Sequence, residues 1–317
     1  MLPIAKYPAY LSPSSLMAFE GRPNTFYLQR MAPDPIPYDP QGPAAAVGSA
    51  FDAYIKMVWL QEAFGLNSEV YLKHLEVVRQ RLFEGMYSDE QKNKYRTEMT
   101  HDVMFLSSVE EQHRDEAARQ GRELCKIYKS NVNTLKYLRD IEIHRRFVLL
   151  PESVPLFMKL DATCIDFLNE KPNPDKVYPF DWKVMGYGSN SGVSPKKGYA
   201  LLFDNGVLKP GHKDYVYDIP AEQVDSKWAI QLATYGWGLG HPIGEPFPAY
   251  IDAIIIRPNK IRVARYRMLI SKEFQLDLKD RYVRAWKAIK SGSFIKSLNT
   301  TERNLVYMNA QQENWWD

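Results

Sequence analysis

The chain has 317 residues, of which 45% are hydrophobic and 25% charged, and this ordinary globular composition excludes a wholly disordered chain and a low-complexity fibre. It contains no run of about 18 uninterrupted apolar residues, so we expect no membrane-spanning helix and no membrane partner. The net charge of +3 is too small to indicate a nucleic-acid partner and does not exclude one, since basic residues can gather on one face while carboxylates offset the total.

The N-terminal segment predicts two short helices followed by an extended connector. Ser12 is an N-cap candidate with Pro13 in the first turn, which favours a helix directly after it. Nine of the 21 prolines fall within the first 43 residues, and proline is excluded from helix interiors and central strands. The predicted segments are helices over residues 16–20 and 25–30 and a connector over residues 32–43.

Three longer helices are predicted before residue 140, because apolar residues recur there at helical spacing. The third of them opens with a capping box at Ser108 and Glu111. They cover residues 44–62, 69–83 and 108–138.

Beyond residue 140 the pattern changes to the alternation that is typical of strands. Strands are predicted over residues 141–150, 157–168, 177–184, 250–257 and 261–269. Helices are predicted over residues 221–239 and 272–290. A loop rich in glycine and serine, over residues 186–198, carries Lys196 and Lys197.

This order of elements predicts an α/β fold with a mixed central β-sheet flanked by helices and an N-terminal helical portion. We expect a single domain over residues 1–317. It would consist of a mainly helical portion over residues 1–140, a sheet-containing core over residues 141–295 and a C-terminal tail over residues 296–317.

The N-terminus and the cysteine count bear on the compartment. No basic stretch followed by an apolar segment opens the chain, so we expect no secretory signal and a cytoplasmic location. Cys125 and Cys164 are too few for an all-cysteine zinc site or a four-cysteine iron–sulfur cluster. We expect two partly buried thiols and no disulfide framework.

Asp181 and Lys183 form the first candidate site. An acidic residue two positions before a lysine occurs four times in the chain, but only this pair falls on a predicted strand, where residues i and i+2 share one face. The carboxylate and the ammonium therefore point the same way beside apolar neighbours. A same-face surface ion pair, worth at most ~1 kcal/mol, would leave the same pattern.

Asp161 lies in the middle of an apolar run on the preceding strand, where a carboxylate is costly unless it is paired or binds a metal. A hairpin-like return would bring it beside Asp181, and two adjacent carboxylates repel unless a divalent cation lies between them. Oxygen ligands suit Mg²⁺ or Mn²⁺ better than Zn²⁺. In the alternative interpretation, Asp161 caps a turn or pairs with a lysine.

Two weaker pairs lie on predicted helices. Gln231 and Tyr235, at positions i and i+4, share a helix face among apolar residues and could meet a phosphate or a base. They could equally form the polar border of an amphipathic helix. Gly48 and Asp52 have the same spacing, and the glycine would let the backbone approach a neighbour closely.

The order of these motifs resembles the RecB-like branch of the PD-(D/E)XK nuclease superfamily. The series begins with a Ser-x-Ser helix start and Arg22-Pro23-x-x-Phe26-Tyr27. It continues with Gly48-x-x-x-Asp52, the strand residue Asp161, Asp181-x-Lys183 and Gln231-x-x-x-Tyr235. The resemblance covers about residues 12–240 and implies a restriction-endonuclease-like core.

The resemblance implies roles for individual residues. Asp161, Asp181 and Lys183 would be catalytic, and the two carboxylates would bind Mg²⁺, which Mn²⁺ could replace, together with the backbone carbonyl of Trp182. Asp52 stands where the family usually has histidine and would be a further metal ligand. Residues implied to lie near DNA, or to assist, are Gln231, Tyr235, Lys196, Lys197 and the accessory acid Glu142.

Departures from the family pattern limit the cofactors. Relatives with an iron–sulfur cluster have a cysteine before the early proline and three near the C-terminus, whereas Arg22 precedes Pro23 here and no cysteine follows Cys164. We therefore expect no iron–sulfur cluster. The chain also has no Walker A motif, so we expect no helicase motor.

The resemblance implies a stand-alone Mg²⁺-dependent deoxyribonuclease, an exonuclease rather than an endonuclease, that hydrolyses DNA in recombination, repair or processing. A phage origin, with the host cytoplasm as location, follows family habit. DNA would be the partner, and a recombination or single-strand-binding protein and a homo-oligomer stay open.

Two alternatives remain: a catalytically inactive DNA-binding or assembly subunit, and a sequence-specific endonuclease on the same fold. A basic stretch could contact phosphates in any of these, or form a solvated strand face. It comprises Arg257, Lys260, Arg262, Arg265 and Arg267.

Overall fold

The computed structural model describes the larger part of the chain. Described are residues 7–32, 35–36, 42–65, 68–69, 71–73, 111–132, 135–166, 173–186, 201–204, 207–210, 219–221, 225–257 and 260–294. Within these ranges, every helix is too short or too polar to cross a membrane.

A mixed β-sheet forms the centre of the fold. Its strands are β1 (Leu138–Leu149), β2 (Val154–Cys164), β3 (Tyr178–Met185), β4 (Leu201–Asp204), β5 (Val207–Pro210), β6 (Ile219–Pro220), β7 (Phe247–Arg257) and β8 (Lys260–Ile270). The five long strands are adjacent in the order β1-β2-β3-β7-β8, and the hairpin of β4 and β5 continues the sheet beyond β8, with β6 also pairing β8. Neighbours are antiparallel except for the parallel pairs β3–β7 and β6–β8.

Helices cover both faces of this sheet. They are α1 (Pro13–Gly21), α2 (Pro23–Arg30), α3 (Pro43–Phe64), α4 (Glu111–Asn131), α5 (Ser226–Leu239) and α6 (Lys272–Ser291). One hydrophobic core lies between the sheet and α3 with α4, and a second lies between the sheet and α1, α2, α5 and α6. In β7, Ile251 and Ala253 belong to the second core and Tyr250 and Ile254 to the first, as the two-residue period of a strand requires. The predicted α/β class, with a mixed sheet flanked by helices and helices at the N-terminus, is confirmed.

Side-chain caps fix where several helices begin. The Ser12 hydroxyl accepts a hydrogen bond from the backbone N–H of Ser15, and the Ser15 hydroxyl accepts one from the backbone of Ser12, so the predicted cap is a complete capping box. The side chains of Asp225 and Ser271 cap α5 and α6 by accepting hydrogen bonds from the backbone N–H groups of Lys227 and Phe274, respectively. Helix α5 therefore begins at 226, five residues later than predicted.

The end of α4 differs from the prediction of a helix to residue 138. The helix ends at Asn131, a 3-10 turn covers Leu135–Tyr137, and β1 begins at Leu138. The Trp59 indole donates a hydrogen bond to the carbonyl of Leu135 over 3.0 Å, and Leu135 is buried beneath α3. The apolar residues that continue the helical pattern are therefore buried through a tertiary contact that local periodicity does not contain.

Other boundaries shift by a few residues. Strand β2 covers 154–164 rather than 157–168, and β3 covers 178–185 rather than 177–184. The hairpin of β4 and β5 was not predicted. Of the helix predicted over 69–83, residues 69 and 71–73 are described and helical, and the rest lies outside the described residues, as do Ser108 and the tail over 296–317.

Candidate active site

Three acidic residues lie side by side on neighbouring strands. The register that pairs Ile141 with Ala162 and Ile143 with Leu160 sets Glu142 of β1 opposite Asp161 of β2. The ladder between β2 and β3 ends at the pair formed by Ala162 and Phe180, and Asp161 and Asp181 follow directly. The predicted return that brings Asp161 beside Asp181 is confirmed.

Glu142 occupies an irregular point of β1. Its φ angle is 51°, in the left-handed region, which costs a residue other than glycine about 1–2 kcal/mol. The register of β1 also shifts between Leu138 and Ile141. Strain and bulges of this kind gather at functional sites because they re-aim a side chain.

Helix α3 brings Asp52 and Lys56 to these carboxylates. The Lys56 ammonium nitrogen lies 2.5 Å from Asp52 Oδ2, 2.6 Å from Glu142 Oε1 and 2.9 Å from Asp161 Oδ1. An ammonium has three N–H donors, so all of them are used. The Lys56 side chain is 1% exposed, which makes it a buried cation held by three carboxyl groups.

Lys183 holds Asp181 in a separate ion pair. Its ammonium nitrogen lies 2.5 Å from Asp181 Oδ2, and the two side chains are 23% and 3% exposed, respectively. Asp181 is the only hydrogen-bond acceptor for Lys183 among the described residues, so donors remain available on the side that faces solvent. The predicted same-face arrangement of the pair is confirmed, and it is not a surface pair.

Tyr235 of α5, in the layer of helices opposite α3 and α4, lies close enough to the cluster for the charges of Asp161 and Asp181 to act on its phenol. Burial raises the pKa of its phenol well above the ordinary value, and the negative charges of Asp181 and Asp161 raise it further, so the hydroxyl stays protonated. Gln231, one helical turn earlier, is half-buried. The cluster thus lies where the β2–β3 ladder ends and where helices from both faces of the sheet converge.

Burial divides the acidic groups into two classes. It raises the pKa of Asp181 to about 7, with Lys183 opposing the rise and Asp161 adding to it. It likewise raises the pKa of Asp52 to about 7, with Asp161 adding to the rise and Lys56 opposing it. These two carboxyl groups therefore resist ionisation near neutral pH.

The remaining groups of the cluster stay charged. Burial opposes ionisation of Asp161 and Glu142, yet the Lys56 ammonium holds the pKa of both carboxyl groups below their ordinary values. Burial also opposes the charge on Lys56 and Lys183, but the surrounding carboxylates raise the pKa of both ammonium groups. Both lysines are therefore cations over the whole physiological range.

The pairing of individual oxygens indicates which carboxylates could hold a metal ion. Glu142 uses both oxygens, one toward Lys56 and the other toward His144 at 3.2 Å and Lys159 at 3.7 Å. Asp52 Oδ1 and Asp181 Oδ1 are buried and accept no hydrogen bond from the described residues.

Asp161 contacts a lysine only through Oδ1, which lies beside Lys56. Its carboxylate also accepts a hydrogen bond from Asp181 when the Asp181 carboxyl group is protonated. Each of the three aspartates thus keeps an oxygen free of the lysines, and carboxylate oxygens are the ligands that a hard divalent cation such as Mg²⁺ takes. Among the described residues, the acidic oxygens within 4.8 Å of one another belong to Asp52, Glu142 and Asp161.

Some predicted site residues are placed elsewhere or not at all. The Trp182 side chain lies on the α3–α4 side, where its indole donates to the Tyr128 hydroxyl over 3.1 Å, and metal binding by its backbone carbonyl stays a prediction. Lys196 and Lys197 lie outside the described residues. A Cβ atom on Gly48 would meet Val184 at 3.9 Å, an ordinary contact, so α3 approaches β3 without requiring glycine there.

Arg265 and Arg267 do not form a solvated strand face, and contact of the basic stretch with phosphate stays a prediction. Arg265 is 4% exposed and bonds Asp252 through two nitrogens at 2.6 Å each. Arg267 bonds Asp166 at 2.9 Å and is 13% exposed. Carboxylates buried beside them hold both guanidinium groups, and the side chains of Arg257, Lys260 and Arg262 lie outside the described part.

Lys56 is the site residue that sequence reasoning missed. A signal was present, because Lys56 interrupts the apolar run from Tyr54 to Trp59 and lies four residues after Asp52, on the same helix face. A lysine within such a run must find counter-charges when the helix is buried on both sides.

No protein-family model matches the chain, and no characterised protein matches it by sequence. The resemblance to RecB-like nucleases therefore rests on the motif residues themselves. The site brings Asp52, Asp161, Asp181, Lys183 and Tyr235 together from α3, β2, β3 and α5.

Proposed function

We propose that the protein is a divalent-metal-dependent deoxyribonuclease that hydrolyses phosphodiester bonds, and that it acts as an exonuclease in DNA recombination, repair or processing. The supporting observation is the way in which the lysines of the cluster pair with its carboxylates. Asp52, Asp161 and Asp181 each keep an oxygen that no lysine contacts, and Lys183 beside them has N–H donors that are not used. Carboxylates around a divalent ion, with a lysine at the solvent side, are suited to a phosphate diester, whose charge they can neutralise. The choice of DNA, and of strand ends, rests on the motif resemblance.

Asp52, Asp161 and Asp181 would hold the Mg²⁺ ion through the oxygens that the lysines leave free. When bound, the ion would supply Lewis-acid activation of the scissile phosphate and of the attacking water. Because it is partly exposed, Lys183 can donate to a phosphate oxygen and stabilise the charge that develops there.

Tyr235 and Gln231 would orient the substrate. The Tyr235 phenol stays protonated because burial and the nearby aspartates raise its pKa, so it acts as a hydrogen-bond donor toward the substrate rather than as a base. The Gln231 amide, one turn away on the same helix face, would extend this contact along the strand.

The test is degradation of end-labelled linear duplex DNA beside a closed circular plasmid, in Mg²⁺, in Mn²⁺ and in EDTA. We expect metal-dependent loss of the linear DNA alone, and a fall in rate of about 100-fold or more in Lys183→Ala and Asp181→Asn. Lys272→Ala, on the exposed start of α6, is the matched control and should retain the full rate. Intact DNA under every metal, or full activity in Lys183→Ala, would refute the proposal.

One observation favours a second candidate, the non-catalytic DNA-binding or assembly subunit. Lys56 already neutralises part of the acidic cluster, as a cation that replaces a lost metal would. This candidate predicts equal DNA binding in Mg²⁺ and in EDTA with no shortening of the DNA. Cleavage of the circular plasmid at discrete positions would instead indicate the sequence-specific endonuclease.

A further inference from the structure

We propose that Lys56 is a built-in cation that permanently fills one of two cation positions in the acidic cluster, so that the centre takes a single divalent ion. The inference rests on the proposed function for the presence of a metal. It adds the number of ions and names a positioning residue.

The ammonium group of Lys56 lies among three carboxyl groups. Asp52, Glu142 and Asp161 each bring an oxygen to within 4.8 Å of the others, which is close enough to surround one cation. The Lys56 nitrogen already lies 2.5–2.9 Å from oxygens of these three carboxylates. Mg²⁺ needs ligand oxygens at about 2.0–2.1 Å, so an ion and the ammonium cannot share this place.

The surroundings of Lys56 hold its ammonium group in this place. Its side chain is 1% exposed, and its neighbours Ile55 and Met57 on α3 are buried in the core beneath α4. Turning the ammonium away would move a charge into apolar surroundings and leave carboxylates uncompensated, both of which are strongly unfavourable.

Lys56 and Lys183 differ in the number of N–H donors that they keep free. Lys56 donates all three of its N–H groups to carboxylates. It has no donor left for a substrate, so it acts only through the carboxylates that it holds. Lys183 donates a hydrogen bond to Asp181, and its side chain is 23% exposed. Lys56 is therefore a positioning residue, and Lys183 is the lysine that can reach a phosphate.

The cluster keeps carboxylate oxygens that Lys56 does not hold. Asp181 is 3% exposed and its Oδ1 is buried and accepts no hydrogen bond from the described residues, and Asp52 Oδ1 likewise accepts none. The second cation position is assigned to these oxygens. Four carboxylates and two ammonium groups leave a formal charge of −2 when all are ionised, which one divalent ion neutralises.

The test counts metal ions on the full-length protein without DNA, by equilibrium dialysis against Mn²⁺ and electron paramagnetic resonance of the free ion. We expect one tightly bound Mn²⁺ per wild-type chain and two per chain in Lys56→Ala, because the vacated carboxylates then hold a second ion. Lys56→Gln keeps a side chain of similar length, supplies an amide oxygen and should also bind two ions if Lys56→Ala does not fold. Lys159→Ala removes an exposed lysine 3.7 Å from Glu142 and should stay at one ion.

The outcomes separate this inference from the proposed function. Two ions per wild-type chain, or one ion in a folded Lys56 variant, would overturn the role of Lys56 and leave the nuclease proposal intact. One ion on the wild type and two on the variant, without any DNA hydrolysis, would support the role of Lys56 and refute the nuclease. Failure of the wild-type chain to bind Mn²⁺ would overturn both.

Discussion

Asp181 is a buried carboxyl group whose ionisation the metal-free protein resists. Burial raises its pKa from 3.8 to about 7, so the folded chain holds this proton more tightly than the unfolded chain does. The corresponding stabilisation is fully present below pH 4 and is lost as the pH rises through about 7. Glu142 and Asp161 act in the opposite direction, because their lowered pKa values stabilise the fold above the ordinary carboxyl pKa.

Asp181→Asn should therefore change stability in a pH-dependent way. In EDTA, we expect the free energy of unfolding of the variant, minus that of the wild type, to be higher at pH 8 than at pH 5 by about 1–3 kcal/mol, since asparagine cannot ionise. Urea unfolding at both pH values measures this difference. Asp280→Asn, on the exposed side of α6, is the control, and an equal Asp181→Asn effect at pH 5 and pH 8 would contradict the prediction.

Several site residues could be predicted one at a time, because each is anomalous in its own segment. Asp161 is a carboxylate in an apolar strand, and Asp181 and Lys183 share a strand face. The contact that joins Lys56 to Glu142 spans 86 positions of the chain, and no local pattern encodes it. Which oxygen pairs with which lysine likewise depends on the register between β1 and β2.

Between elements, α3 and α4 approach each other closely at Gly121. A Cβ atom there would lie 2.6 Å from Ala50 Cβ and 2.8 Å from the backbone of Ala50 and Phe51. Glycine in mid-helix costs about 1 kcal/mol relative to alanine, and here its missing side chain lets the two helices touch. Because α3 carries Asp52 and Lys56, this contact also positions the acidic cluster.

Gly121→Ala should destabilise the protein by about 1–3 kcal/mol, since the strain of separating two packed helices exceeds the gain in helix propensity. Chemical unfolding with urea gives this value. Gly21→Ala is the control: a Cβ atom there meets nothing within 4 Å, and we expect a change of at most about 1 kcal/mol, in the stabilising direction. Equal effects of the two substitutions would show that the helix contact is not tight.

Elements with a strong local pattern were predicted closely, and elements that depend on partners were not. Helix α3 was predicted over 44–62 and runs over Pro43–Phe64, and α6 was predicted over 272–290 and runs over Lys272–Ser291. Strand β4 has four residues and exists through its pairing with β8. Such a short strand is specified by its neighbour rather than by its own alternation.

At the scale of the whole molecule, the carboxylate of Asp252 connects the sheet to α4 through hydrogen bonds. Asp252 of β7 is completely buried and accepts hydrogen bonds from Arg265 of β8 and from the Tyr128 hydroxyl of α4. The Trp182 indole of β3 donates to the same hydroxyl. Three strands and a helix are thereby joined through a single buried network.

Asp252→Ala should destabilise the protein by about 3–5 kcal/mol, because it leaves the Arg265 guanidinium buried without its counter-charge. Tyr128→Phe removes a hydrogen bond while Asp252 and Arg265 stay paired, so we expect a smaller loss of about 1–2 kcal/mol. Unfolding in denaturant measures the loss of stability of both variants. Asp175→Ala, in an exposed turn, should change little, and an Asp252→Ala loss below that of Tyr128→Phe would contradict this account of the network.

The long chain separations within the acidic cluster have a consequence for protein synthesis. Lys56 meets Glu142 and Asp161 across 86 and 105 positions, and Tyr235 follows later still. Contacts between such distant segments close late in folding, and on the ribosome they cannot close before the later segment has emerged. A nascent chain would therefore carry α3 with a lysine and an aspartate but no hydrolytic centre, and the proposed enzyme would become active toward surrounding nucleic acid only after its catalytic strands and α5 have left the ribosome.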